Sequence, residues 1–220
     1  MGIPVNRQLP RLHTVPGRLL GKKEYGSDFF GIFHEMEGVI WKLERAQTFD
    51  EGSDPSWNAM RRGDWRRSLA LLEEARDTIT ADLPARGRLR RLRVAQWPLT
   101  PYMQWEFHLL ALRARLGEQG RVVESAEVSG LEARAPLPEL VIFPGVRMYH
   151  VLYDSRGACT GARRIDDGEV VEAWTSVVAS LYEGARDLED YVERRVLPLP
   201  PPRPDLVMSL PSPSRHPARP

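Results

Sequence analysis

The sequence predicts an α+β protein: a mixed, largely antiparallel sheet with an N-terminal helical region and a long C-terminal helix packed on one face. Three observations carry that prediction. The runs ELVIF, VRMYHVLYD and ACTGARRI are separated by tight turns at Pro144-Gly145 and Ser155-Arg156-Gly157, which makes a three-stranded antiparallel meander. Two earlier segments, around Val39 to Leu43 and Arg88 to Ala95, alternate with the period of a strand. Finally, Asp166 or Asp167 precedes apolar residues at Val170, Trp174, Val177, Val178, Leu181, Ala185, Leu188 and Val192, a helical stripe that needs a sheet to cover.

The elements follow in order. Residues 1–27 hold Pro4, Pro10 and Pro16 without an apolar period and are expected to form a flexible arm. Asp28 is placed to cap a short helix presenting Phe29, Phe33 and Met36, with Gly38 ending it. VIWKLERAQT then reads as a strand with Val39, Trp41 and Leu43 on one face, against a helical alternative over 31–45. Asp54-Pro55 and Asp64 open two helices, the second carrying Leu69, Leu72, Ala75 and Ile79 and stopped by Pro84 and Gly87. From Arg88 to Ala95, Leu92 and Val94 share a face that excludes Arg91 and Arg93, and the arginines are expected on the solvent side. That strand ends at Trp97-Pro98. The segment after Pro101 fits either a helix or a strand that becomes one, Gly117 to Gly120 breaks it, RVVES is a short strand and GLEARAPLP a loop. The expected domain is a single one over 28–196, followed at 197–220 by a tail too rich in proline to continue a helix, read as disordered.

Composition narrows the class. A chain of 220 residues with 42% hydrophobic and 28% charged residues can bury one sizeable core. The formal net charge of +1 supplies no global field for a polyanion, so a nucleic-acid surface would have to be a local patch. Cys159 is the only cysteine, which rules out an intrachain disulfide and an all-cysteine zinc site. The start shows no apolar segment of a secretory signal and no run reaches membrane-spanning length, so a cytoplasmic location is expected. Met1-Gly2 is not followed by Ser or Thr at position 6, where Asn6 stands, so it does not complete a myristoylation motif.

Recognisable chemistry is sparse. His13, His34, His108, His150 and His216 lie far apart, and neither an HExxH pattern nor the usual phosphate-loop, dinucleotide or nucleophile-elbow motifs occur. No metal, cofactor or catalytic residue is expected. Cys159 reads as a small sheet residue rather than a thiol activated by His150. Two residue sets remain as candidates. Arg88, Arg90, Arg91 and Arg93 with Trp97, Tyr102 and Trp105 combine guanidinium groups for phosphates with rings for stacking on bases. Glu106, His150 and Asp154 are candidates for a polar cleft, because Glu106 and Asp154 fall in aromatic or apolar stretches that would shift their acidity. Arg61, Arg62, Arg66 and Arg67 form a second basic cluster, read as a solvated helix face.

VIWKLE, RLRRLRVAQWPLTPYMQWEF, ELVIFPGVRMYHVLYDSRGACTGARRIDD and EGARDLEDYV together resemble an uncharacterised actinobacterial family whose domain has no assigned function, a likeness spanning roughly Phe29 to Val192. That family is encoded beside helix-turn-helix regulators and small companion proteins, and the resemblance implies a regulatory accessory that acts by binding. Where the family has a glycine-glutamate-acid stretch, this chain reads GEQGRVVES: Glu118 matches and the following acid does not. The expected function is therefore a non-enzymatic cytoplasmic regulatory accessory with a protein partner of the helix-turn-helix class. The alternatives are a nucleic-acid-associated protein using the 88–107 patch and an enzyme with an unrecognised cleft.

Overall fold

A computed structural model describes residues 12–203. The expected arm and tail therefore lie outside the described residues over 1–11 and 204–220. After a 3-10 turn at Leu12–Thr14 come strand β1 (Arg18–Gly21), helix α1 (Lys22–Phe33) and strand β2 (Gly38–Glu44). Three short helices follow, α2 (Pro55–Arg61), α3 (Trp65–Glu74) and α4 (Arg76–Ala81), and then β3 (Gly87–Ala95), α5 (Pro101–Arg115), β4 (Gln119–Glu124) and α6 (Ser125–Val128). The meander is β5 (Leu140–Phe143), β6 (Arg147–Tyr153) and β7 (Cys159–Ile165). The described chain closes with α7 (Gly168–Gly184), β8 (Arg186–Asp187), α8 (Leu188–Tyr191) and a π-helical turn at Val192–Val196.

The class is α+β and the sheet is mixed. Its eight strands run in the order β1-β7-β6-β5-β2-β3-β4-β8. β2, β3 and β4 are parallel neighbours, which demands helical crossovers between them, and α2–α4 and α5 supply these. The remaining pairings are antiparallel.

Both faces of the sheet are covered. On one, Trp41, Leu43, Leu92, Val94, Leu140 and Ile142 pack against Trp174, Val177, Val178 and Leu181 of α7. On the other, Ile40, Leu89, Val141, Phe143 and Tyr149 pack under α1, while Ala95 and Val122 lie under α5, whose Trp105 meets Trp57 of α2 and whose Phe107 meets Tyr191. The segment after Pro101 is thus a helix: Thr100 caps it, its hydroxyl accepting from the Met103 N–H at 3.1 Å, and Pro101 opens it.

Three expected features are corrected. Among the described residues there is no N-terminal helical region ahead of the sheet, because the first strand, β1, precedes the first α-helix, and α2–α4 are crossovers inserted between β2 and β3. Asp28 is no cap: α1 begins at Lys22, and the Asp28 carboxylate instead accepts from the Tyr149 hydroxyl at 2.7 Å and pairs with Arg147 and Arg164. Nor is there one long C-terminal helix. α7 stops at Ala185, whose backbone is extended, and Arg186 and Asp187 pair with Val122 and Arg121 of β4. Asp187 then caps α8 by accepting from the N–H groups of Glu189 and Asp190. The apolar period continues through the break while the partners change: Val177 and Leu181 join the α7 face, and Leu188 and Val192 bury on the opposite side with α5.

Candidate functional site

Between the two apolar covers on the α1/α5 face runs a seam of charge. Residues two apart on a strand share a face, so Lys42 and Glu44 of β2 emerge on the same side as Arg91 and Arg93 of β3, and the parallel register sets Lys42 beside Arg91 and Glu44 beside Arg93. Glu44 thereby gains cationic neighbours on both strands. Arg91 donates to Glu44 and to Glu118, the residue just before β4. Arg113 of α5 donates to Glu118 at 2.6 Å, and the Lys42 ammonium lies 2.7 Å from Glu44. Arg93, fully buried, donates to the Glu106 carboxylate at 2.7 Å and to the Ala46 carbonyl at 2.5 Å. The Tyr102 hydroxyl bridges Glu51 at 2.7 Å and Glu106 at 3.2 Å.

This environment divides the carboxyl groups. Burial raises Glu44 and Glu118, but Arg91 with Lys42, and Arg91 with Arg113, outweigh it, so both are held below the usual carboxylate range. For Glu106, burial outweighs Arg93 and the acidity is weakened, and burial also raises Glu51. Glu139, just ahead of β5, is pushed up to about 7, first by burial and then by the charge of Glu44, despite Arg93 nearby. One of its oxygens accepts from the Arg45 N–H at 2.9 Å and the Ala46 N–H at 2.6 Å, while Oε2 is enclosed without a hydrogen-bond partner. Glu139 is thus a group of the seam that exchanges a proton near neutral pH. Beside it, Arg45 and Glu132 form a two-pronged pair at 2.6 and 3.0 Å that ties the end of β2 to the loop ahead of β5.

Of the residues singled out from sequence, Arg93, Tyr102 and Glu106 meet in this seam, and the rest do not form one site with them. Arg91 and Arg93 are buried, not solvent-facing, because α5 covers the face they point to. Arg90 lies on the opposite face, 5.4 Å over the rings of Trp41 and Tyr182, and Arg88 is exposed. Tyr102 and Trp105 are core residues, the Trp105 indole donating to Ser56 at 2.8 Å. The Trp97 indole donates to Tyr191, and Arg195 covers its ring at 4.6 Å. Glu106 and His150 point to opposite faces of the sheet, since His150 is in register with Leu140 on the α7 side. His150 has lowered basicity from burial and from Arg163. Asp154 organises a turn, accepting from the Arg156 and Ala158 N–H groups, and those bonds lower its pKa. Glu44, Glu51, Arg113 and Glu139 escaped the sequence reading. The available signal was one acid, Glu44, among cations at alternate positions of two neighbouring strands, Lys42, Arg91 and Arg93.

Elsewhere, a polar groove of about 390 Å³ lies where β3 and β4 begin, lined by Arg90, Gln119, Arg121, Tyr182, Glu183 and Asp187. Arg121 is already committed there, donating to the carbonyls of Tyr182 and Glu183 at 2.9 and 3.0 Å. Among the described residues no cluster of His, Cys, Asp and Glu is placed to hold a metal ion, and no helix is long and apolar enough to cross a membrane. Leu19, Phe30, Val146 and Leu197 are the large apolar side chains most exposed among the described residues.

The family described as "Domain of unknown function (DUF6879)" matches residues 27–193. The chain belongs to that family, and the match spans the sheet from β2 to β8 with its covering helices. No curated protein matches the chain.

Proposed function

We propose that this DUF6879 member is a non-enzymatic cytoplasmic regulatory accessory that acts by binding a protein partner. A helix-turn-helix regulator encoded beside it, in the actinobacterial setting that the family resemblance implies, is the partner class. The observation that carries this reading is the open margin of the sheet. β1 is the last strand on its side, and among the described residues no strand pairs with its outer edge. Leu19, in that strand, is 67% exposed, and Phe30 on the adjoining α1 is 53% exposed. Edge strands are usually blunted by charge, proline or a covering element, and an open one accepts an extended segment through main-chain hydrogen bonds.

Gel filtration and pull-down of the purified chain with the products of neighbouring genes test this. Co-elution with one of them, lost in a folded Leu19→Lys variant, supports the reading. Failure of the wild type to form any such complex overturns it, and unchanged binding by Leu19→Lys removes β1 as the surface.

A further inference from the structure

The exposed arginines of this fold are, in the main, matched to acids. Arg18, Arg76, Arg115, Arg186, Arg194 and Arg195 each lie within ion-pair distance of a carboxylate. Arg88 and Arg134 also lack a carboxylate partner among the described residues, but the turn joining α2 and α3 gathers unmatched arginines together. It reads Arg61-Arg62-Gly63-Asp64-Trp65-Arg66-Arg67, and Gly63, at φ 83°, allows the chain to reverse there. Arg61 rests over the Trp57 ring at 5.9 Å and Arg67 reaches Glu74 at 2.5 Å. The side chains of Arg62 and Arg66 have neither a carboxylate nor a ring partner among the described residues. Asp64, the acid within the turn, is occupied as the cap of α3, accepting from the Arg67 N–H at 3.0 Å. Two unmatched arginines therefore stand within three residues of Trp65, whose half-buried ring meets His108 edge-on at 5.0 Å.

The turn is also held rigidly. Trp57 and Met60 behind it are core residues, and a buried hydrogen bond from the Ser56 hydroxyl to the Ser68 carbonyl, at 2.9 Å, clamps the two helices together. Arginine and tryptophan on a fixed support are the residues that dominate protein interfaces, because little freedom is lost when they are engaged. A nucleic acid fits less well. Its phosphates continue as a track, and the far end of α3 presents Glu73 and Glu74, already paired with Arg67, Arg76 and Arg115, so no line of free guanidinium groups extends from the turn. A short segment bearing a few carboxylates meets only the positive turn.

We infer that the α2–α3 turn is a docking site for an acidic segment of a protein partner, with Arg62 and Arg66 contacting carboxylates and Trp65 supplying the apolar anchor. This rests on the reading of the chain as a protein-binding accessory and adds the chemistry of what is bound. The test is fluorescence anisotropy of the purified full chain with a labelled glutamate-rich peptide and, separately, a labelled DNA duplex, each across a salt series. Expected are peptide binding that weakens with salt, a loss of about tenfold or more in Arg62→Glu/Arg66→Glu, and unchanged binding in Leu19→Lys. Arg62→Gln/Arg66→Gln, with a smaller loss expected, serves should the charge reversal disturb the fold. No peptide binding by the wild type, binding indifferent to both double variants, or preferential arginine-dependent binding of the duplex would each overturn the assignment. The two readings fail separately. A gene-neighbour complex that survives Arg62→Glu/Arg66→Glu removes this docking site and leaves the accessory role, whereas no complex with the wild type removes the role itself.

Discussion

Replacing Glu139 by glutamine should make the protein more stable at neutral and alkaline pH. In the folded chain its carboxyl is pushed up to about 7 from an ordinary glutamate value of 4.5, chiefly because burial disfavours its charged form and Glu44 adds like charge. Between those two values the folded state keeps a proton that the unfolded chain releases. The stabilisation is thus complete below pH 4.5, declines as the pH rises through the window and is gone above about 7. A difference of that size corresponds to about 3 kcal/mol between the acidic and alkaline limits. Glutamine keeps an oxygen to accept from the N–H groups of Arg45 and Ala46 and carries no charge at any pH, so it mimics the protonated acid. The assay is urea unfolding of both proteins at a series of pH values, read as the difference between them so that Glu51, Glu106 and the histidines cancel. The variant should gain on the wild type steadily from pH 4.5 to 7 and hold its advantage beyond. A difference independent of pH, or a variant less stable at pH 8, would refute the placement of an unpartnered, charge-averse oxygen at this junction.

Two further outcomes follow from the buried seam and the sheet edge. Arg93→Met should cost about 3–5 kcal/mol in urea unfolding, because it strands the buried Glu106 carboxyl, and adding Glu106→Leu should recover most of that loss; a double variant no better than the single one would show that the pair does not act as a unit. Gly161→Ala should cost about 1–3 kcal/mol and loosen β1, since Gly161 sits at φ 142° with the Leu20 carbonyl where a Cβ would go. Hydrogen exchange over Arg18–Gly21 reads this directly, and unchanged protection there would contradict the β1–β7 pairing.

Local signals foretold much of the fold. Asp54-Pro55 and Asp64 cap helices as their chemistry requires, Pro144-Gly145 turns the chain, and the alternation around Trp41 and Leu92 identifies residues sharing a face. What alternation leaves open is which face meets water. For Arg91 and Arg93 the answer came from a helix, α5, whose own period was ambiguous, and from carboxylates at Glu44, Glu106 and Glu118 spread along the chain. The apparent C-terminal helix misled for a related reason. A stripe from Val170 to Val192 says that these residues are buried, but not that one face buries them all, and Ala185 lets the chain pass from one side of the sheet to the other. β1 was missed because four residues, RLLG, are too few to establish a period.

The same arrangement explains why a sheet covered on both sides would carry charge at its centre. Swapping a buried ion pair for apolar groups of similar volume often costs nothing, so stability alone is a poor reason for Arg93 and Glu106. Register is a better one. Leu92 and Val94 alternate with Arg91 and Arg93, and a slip of β3 by one residue would drive both guanidinium groups into the apolar layer under α7 while turning Leu92 toward Glu44 and Glu118. With apolar residues on both faces such a slip would change little. The pairs Arg91 with Glu44 and Glu118, and Arg93 with Glu106, make it prohibitive, and they hold β2, β3 and β4 in the one alignment that places α5 over the seam and leaves the α2–α3 turn facing outward.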